Sequence, residues 1–457
     1  MALLLAVYLI LALTSAFTTP WNWRETPELT PPDESAHLEY VRFLAQSRVL
    51  PTFTTSGGNY EAHQPPLYYL VALIPYLAAR SHGDAAVIHS IRVLSVLIGG
   101  GLIFVLHLLA RRLFPHSPAL QLAVPAFAAF LPMHLAVLSA ISNDGAVELF
   151  ATSALYVCVV GLQQGFTALR ASTLGALLGL GLLTKTGCLL FVPVALLAIA
   201  YVGGRGQRLR PLRALGLVAA CLGVVLLMTG WWFARNQALY GDPLAARAFR
   251  VIFNDGTRRT PDWFFTEAGI SAGAYWMLVA IQTFESFWGV FGQANQFMAE
   301  WFYVIGALLA LPPIIGLVRA YVIAQRGAGD LDVSARRAFV CFALATALVA
   351  MSFLKFNTEF FQAQARYLFT AIAPMAVFFC YGWVALIPQP AGQRSARKPV
   401  SGDRRAPILA AVIAIVFVMS VCSLAPGMRS RHVPFIPGIL AAASATLSPA
   451  AESPVIS

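Results

Sequence analysis

Residues 65–79 read PPLYYLVALIPYLAA, from Pro65 to Ala79. This stretch decides the topology. It is apolar, but it holds only 15 residues and three prolines, whereas a spanning helix needs about 20 mostly apolar residues. If it crossed a membrane, every later loop would change side, and Arg111, Arg112 and the basic loop Arg205–Arg213 would be external. If it lies along the interface, Arg111, Arg112, Arg170, Arg205, Arg208, Arg210, Arg213, Arg319, Arg326, Arg336, Arg337, Arg394, Arg397, Lys398, Arg404 and Arg405 share the cytoplasmic side. The second arrangement satisfies the positive-inside bias, so residues 65–79 are expected to be an interfacial helix.

Eleven apolar segments surround it, at about 2–18, 88–110, 119–140, 145–164, 171–184, 187–203, 214–233, 299–320, 336–354, 367–387 and 407–425. The first lacks a basic flank and reads as a retained helix rather than a cleaved signal peptide. The expected fold is an all-α polytopic membrane protein of about eleven transmembrane helices, spanning 1–425, with interfacial helices in its first external loop (19–87). A second long external loop covers 234–298, and an external Ala/Ser/Pro-rich tail covers 426–457. The composition agrees: 58% of the 457 residues are hydrophobic and 11% charged, against roughly 45–50% and about 25% in a soluble domain. The net charge of +11 is then a topology signal rather than a nucleic-acid footprint, and no nucleic-acid partner is expected. No cytoplasmic loop is long enough for a nucleotide-binding domain. Six cysteines stand singly in or beside apolar runs, which indicates neither a disulfide framework nor a zinc site.

The polar residues that could do chemistry gather at the external helix ends. Asp33 and Glu34 follow Pro31-Pro32 and precede a short amphipathic segment with Leu38, Val41, Phe43, Leu44 and Val49. Asp33 reads either as a helix N-cap or as a general base at the interface, oriented by His37 one turn on. Asn143-Asp144 lies at the mouth of the fourth helix; an acid there suits the helix dipole, yet a carboxylate at membrane depth is costly and commonly functional. Glu148, one turn deeper, reads as a contact between helices. Lys185 ends an apolar run whose Gly175 and Gly179 have helix-packing spacing; it either snorkels or meets an anionic substrate. Arg235, Lys355 and Arg366 gain nothing from topology on the external side. They suit phosphate recognition, with carboxylate or headgroup pairing as the plainer reading. Tyr367 and the amides of Gln362 and Gln364 stand beside Arg366. His63, Gln64 and Tyr68 lead into the interfacial helix and would face the same cavity as Asp33. Glu285 sits in a further interfacial segment and reads as structural. His107, His116 and His134 also read as structural. No multi-His or HExxH spacing supports a metal; Asp33, Glu34 and Asp144 are the residues a divalent ion would use, and no cofactor is expected.

In order along residues 1–390, the acidic pair Asp33-Glu34, the PPLYY lead-in, Asn143-Asp144, the run Gly181-Leu182-Leu183-Thr184-Lys185, Trp231-Trp232-x-x-Arg235-Asn236 with Tyr240-Gly241-Asp242-Pro243, and Ala365-Arg366-Tyr367-Leu368 resemble the GT-C superfamily of glycosyltransferases. The similarity is to its family-39-like branch of protein O-mannosyltransferases and lipid A aminoarabinose transferases. The resemblance implies a polyprenyl-phosphate sugar donor used on the external (periplasmic) face of a bacterial inner membrane. The acceptor would belong to the cell envelope. It also implies that Asp33 is the catalytic carboxylate, with Glu34 beside it, and that Asp144 matches the second acidic position. The aminoarabinose branch carries Lys where this chain has Gln64, which moves phosphate binding toward Lys185, Arg235 or Arg366. Direct attack at the anomeric carbon would invert configuration. The competing readings are a lipid-linked-sugar flippase and a polymerase or ligase using a diphosphate donor.

Overall fold

The computed structural model describes residues 1–54, 59–201, 211–253, 259–326, 331–387 and 405–430. The basic loop residues Arg205, Arg208, Arg210, Arg394, Arg397, Lys398 and Arg404, and most of the tail (431–457), lie outside them. Among the described residues the chain is a bundle of apolar helices. Seven are long enough to cross a membrane: Asp84–Leu113, Asp144–Gln164, Pro211–Tyr240, Glu300–Gln325, Val333–Glu359, Ala365–Ala385 and Arg405–Ser423. Three shorter apolar helices, Ala2–Thr18, Ala168–Thr184 and Thr186–Ala200, stand among them.

Two details correct the expected boundaries. The segment at 119–140 is not one straight helix but Pro118–Phe130 and Pro132–Leu138, bent by 70°. Pro132 cannot donate a backbone hydrogen bond, and it pushes the residue before it out of helical geometry; Leu131 is accordingly extended, at φ −65° and ψ 117°. The helix expected to end near 233 runs instead to Tyr240 over 30 residues. At 1.5 Å per residue its length exceeds the hydrocarbon core by several turns, so Arg235 and Asn236 lie on the helix itself rather than past its end.

Cross-links between helix ends sort the bundle into two faces. On one, Gln163 donates to the Arg112 carbonyl (2.8 Å), Ser334 to that of Leu162 (3.3 Å), Arg337 to that of Tyr201 (2.8 Å) and Arg405 to that of Ile387 (3.2 Å). On the other, Arg92 donates to the carbonyls of Ala16 (2.8 Å), Thr19 (2.8 Å) and Pro20 (3.1 Å). The end of the first helix and the beginning of the Asp84–Leu113 helix therefore share a face, and the chain between them makes no net crossing. Leu67–Ala79 is a 13-residue helix with Tyr68, Tyr69 and Ala72 buried and Leu70, Val71, Ile74 and Leu77 exposed. One face packs on the protein and the other exposes apolar side chains. Glu34–Ser47, burying Leu38, Val41 and Leu44, packs beside it.

Close backbone contacts set the helix spacing. A Cβ on Gly175 would collide with the Cys221 carbonyl oxygen, so the Ala168–Thr184 helix approaches Pro211–Tyr240 as closely as small residues allow. Between the helices Ala272–Gly289 and Glu300–Gln325 a short hairpin, Val290–Phe291 with Gln296–Met298, reaches over the first loop. Gln293 donates its backbone N–H to the Glu28 carbonyl (3.2 Å) and its side-chain amide to that of Thr30 (3.3 Å). Gly292, at φ +59°, lies where any side chain would strike Glu28. The hairpin thus clamps the strand of chain that delivers Asp33.

Candidate active site

Four segments distant in sequence bring charge to one place on the face that holds Thr19 and Arg92. Asp33 pairs with Arg366, and Asp144 pairs with Lys185. Asp33 caps the Glu34–Ser47 helix in position only. Its backbone is left-handed (φ 62°) and its side chain makes no capping bond; the carboxylate turns to Arg366 instead. A non-glycine residue in that region costs about 1–3 kcal/mol and persists where its surroundings enforce it. Arg366 also donates from Nε to the Gln364 side-chain oxygen (2.9 Å) and from Nη2 to the Tyr367 hydroxyl (3.3 Å), and Tyr367 donates to Gln362 (3.2 Å). Lys185 Nζ lies 5.9 Å from the centre of the Tyr367 ring. The two ion pairs therefore meet around one tyrosine.

Glu34 is placed elsewhere. It is 1% exposed and accepts from Arg92 Nε (2.8 Å) and Nη2 (2.6 Å) and from the Ile141 backbone N–H (2.9 Å). Arg92 is itself fully buried. This strut joins the first helix, the Asp84–Leu113 helix and the turn before Asp144, so the residue next to Asp33 fixes both acidic positions without facing the cavity.

The remaining sequence candidates divide. Lys355 lines a cavity of about 270 Å³ together with Lys185, Arg250, Glu359 and Tyr367. Gln64 reaches the rim: its side-chain oxygen accepts from Asn143 Nδ2 (3.3 Å), which also donates to the Thr184 carbonyl (3.0 Å). His63 packs against Phe53 and Phe249, with ring centroids 5.0 Å away in both cases, and contacts Gln64. His37 does not orient Asp33 through any bond described; its Nδ1 faces the Tyr69 hydroxyl at 2.9 Å. Burial holds its imidazole below the usual value despite the opposing pull of Glu61, Asp33 and Asp144, so it serves as a neutral partner. Tyr68 is buried against Ser95 (3.2 Å), away from the cavity. Arg235 points to the backbone, donating to the Pro51 carbonyl (2.7 Å) across the first loop. Glu148 joins helices as expected, through His134 Nε2 (2.7 Å), whose Nδ1 lies against the Ala128 carbonyl (2.6 Å). Among the described residues no group of three or more His, Cys, Asp or Glu side chains is placed to hold a metal ion.

Two residues were missed from sequence: Arg92 and Arg250. Arg92 stands alone in an apolar run, and its sign on the wrong side for topology was the signal. Arg250 lies on the amphipathic helix Ala246–Phe253, whose placement over the cavity no local pattern reveals.

Glu285, on the helix Ala272–Gly289, is 5% exposed. Burial pushes its carboxyl up to about 7, from an ordinary value of 4.5. The folded chain therefore holds a proton between those values that the unfolded chain has released, so this group's share of stability is present below about 4.5 and falls as pH rises through 7. Glu285→Gln should melt higher than wild type at pH 8, with the difference shrinking at pH 5. An equal shift at both pH values would contradict the burial cause.

Residues 63–233 match the family described as dolichyl-phosphate-mannose-protein mannosyltransferase. No curated protein matches the chain. Among solved structures, the Archaeoglobus fulgidus oligosaccharyltransferase AglB, in complex with an inhibitory peptide and a dolichol-phosphate, superposes with a TM-score of 0.55 at 15% identity, over 92% of this chain and 55% of that one. The arabinofuranosyltransferase AftD from Mycobacteria gives 0.50 at 15% identity, over 94% and 27%. ArnT from Cupriavidus metallidurans bound to undecaprenyl phosphate shares 17% identity over 86% and 77%, at a TM-score of 0.38 that bears no weight. The chain spans about half the length of the archaeal structures it matches. The resemblance to GT-C glycosyltransferases read from the sequence holds, and the chain is a multi-pass membrane protein of that fold.

Proposed function

We propose that this GT-C-fold chain is an inverting glycosyltransferase that moves a sugar from a polyprenyl-phosphate donor to an acceptor at the outer face of a bacterial inner membrane. The observation that carries this reading is the meeting of Asp33–Arg366 and Asp144–Lys185 beside a cavity that also presents Arg250 and Lys355. A glycosyl phosphate needs a base for the acceptor and cations for the departing phosphate. The arrangement holds both within one cluster, at the helix ends where a lipid phosphate would lie.

The ion pairs suggest an order of events. A donor phosphate entering the larger cavity competes for Lys185 and Arg366. As Arg366 turns toward the phosphate, Asp33 is released to accept the acceptor's proton. The acceptor oxygen then bonds to the anomeric carbon while that carbon's bond to the phosphate oxygen breaks, and the electron pair leaves with the phosphate. Arg366 and Lys185 hold the charge that develops. Glu34 and Arg92 are positioning residues, because they fix the backbone on either side of the base.

Lys355→Ala is expected to raise the donor concentration needed for half-saturation several-fold with little loss of turnover at saturation. Its exposed ammonium helps to hold the phosphate without touching the base. Unchanged saturation would remove Lys355 from the donor site. Chelation with EDTA is expected to leave turnover unchanged, because Asp33 and Asp144 each already face a side-chain cation. A loss restored by added manganese or magnesium would contradict that assignment.

The cell-level test is a lipid and glycan mass comparison between cells with and without the gene. The reading expects an accumulated polyprenyl-phosphate sugar and a missing envelope decoration, restored by the wild-type gene and not by Asp33→Asn. A diphosphate-linked sugar accumulating instead would favour a polymerase or ligase. Full restoration by Asp33→Asn would favour a flippase.

A further inference from the structure

Two cavities flank the paired charges, and their chemistry differs. The larger, about 270 Å³, presents Lys185, Arg250 and Lys355 together with Glu359, which Arg250 faces at 3.8 Å. The smaller, about 50 Å³, lies among the outer ends of the first and last membrane helices and the bent pair. The ion pairs are the partition: Lys185 in the wall of one cavity bonds Asp144 in the wall of the other, and Tyr367 in the first follows Arg366 in the second.

The smaller cleft runs past Pro31 and Pro32, directly before Asp33. Ser15, Ser139, Ser142, Met133, Phe291 and Leu424 complete the wall that matters here. Ser15 and Ser139 bond to each other across two helices (2.7 Å), and Ser142 accepts from the Asp144 backbone N–H (3.1 Å). Among the described residues its charged lining is Asp144 and Arg366, each engaged by an opposite charge.

This lining selects by chemistry. An anionic headgroup would lose its hydration here and meet one cation among the described lining residues, Arg366, which the donor phosphate draws away in the proposed reaction. A peptide would bring an N–H and a C=O for every residue against walls that are mostly apolar. A slim apolar stem bearing a hydroxyl suits the walls: Met133, Phe291 and Leu424 meet the stem, and the serines meet its oxygens. The cleft's position at the outer ends of membrane helices lets such a molecule arrive from the bilayer.

We propose that the acceptor is an uncharged, membrane-borne alcohol, a neutral lipid whose hydroxyl is delivered to Asp33 through this cleft. The proposal rests on the transferase reading above. The acceptor oxygen forms the new bond to the anomeric carbon, its proton passes to Asp33, and the phosphate leaves on the far side of the partition.

The test uses the full chain in phosphatidylcholine nanodiscs with two photoactivatable diazirine lipids of identical acyl chains, a diacylglycerol and a phosphatidic acid. Cross-links are mapped by mass spectrometry. The diacylglycerol probe should label the cleft around Met133 and Leu424, and the phosphatidic acid should not. Ala136→Phe and Leu424→Trp, which fill the cleft from two different helix ends, should both lose that label. Undecaprenyl phosphate binding, read by native mass spectrometry, should be unchanged in both and so report intact folding. Equal or stronger labelling by phosphatidic acid, or no labelling of the cleft by either probe, overturns the proposal. If undecaprenyl phosphate still binds in those cases, the donor reading stands and only the acceptor class is wrong. Failure of the wild-type chain to bind undecaprenyl phosphate overturns the donor reading instead.

Discussion

Asp33→Asn is expected to abolish transfer while leaving the chain inserted and folded. The amide keeps the size of the carboxylate, and its oxygen still accepts from Arg366. Asn also tolerates the left-handed backbone at this position (φ 62°) better than most residues do. What it cannot do is take the acceptor's proton. Losing a positioned general base costs about 10²–10⁴-fold in rate, which leaves little or no detectable product. The measurement is turnover of the purified variant beside its melting temperature. Transfer at the wild-type rate would remove Asp33 from the chemistry. A variant that no longer folds would show that the Asp33–Arg366 pair is structural first.

The largest stability effect belongs to Arg92. Its guanidinium is fully buried and satisfies both Glu34 oxygens and three backbone carbonyls at the end of the first helix. Arg92→Met leaves that carboxylate buried without its partner, and breaking such a pair from one side costs about 3–5 kcal/mol. The variant should melt far below wild type or fail to accumulate in the membrane. Arg92→Met with Glu34→Met should recover part of the loss, because the stranded charge is gone. A single Arg92→Met that melts with wild type would show that the strut does not hold the site, and the positioning role of Glu34 would go with it.

The membrane helices were legible because hydropathy over about 20 residues is a strong signal. The seven long spans, the bent pair and the three shorter apolar helices fall on the eleven segments expected. The bend at Leu131-Pro132 was hidden because hydropathy continues smoothly through it, although the proline was in plain view. Residues 65–79 were read as interfacial by counting cations along the rest of the chain; the bonds from Arg92 hold the end of the first helix beside the beginning of the Asp84–Leu113 helix. Asp33, Asp144, Lys185 and Arg366 were each visible as a charge at an outer helix end. Which cation meets which carboxylate was not visible, because pairing depends on how four segments converge. Arg235 illustrates the cost: it was read as a partner for a phosphate, a carboxylate or a headgroup, but an extended helix carries it to the carbonyls of the first loop. Glu34, placed beside Asp33 in the sequence reading, turns instead to Arg92 and the Ile141 backbone. Adjacent residues at a helix start point different ways, and only Arg92, far along the chain, shows which one is held inside.

The central claim is tested most directly by incubating the purified chain in detergent, where transport has no meaning, with a panel of radiolabelled polyprenyl-monophosphate sugars and a mixed extract of envelope lipids and glycans. The account predicts label transferred to an acceptor, polyprenyl phosphate released in equal amount, and neither event with Asp33→Asn. Label passing only from a diphosphate-linked donor, or no transfer from any lipid-linked sugar despite a folded chain that binds undecaprenyl phosphate, would contradict it.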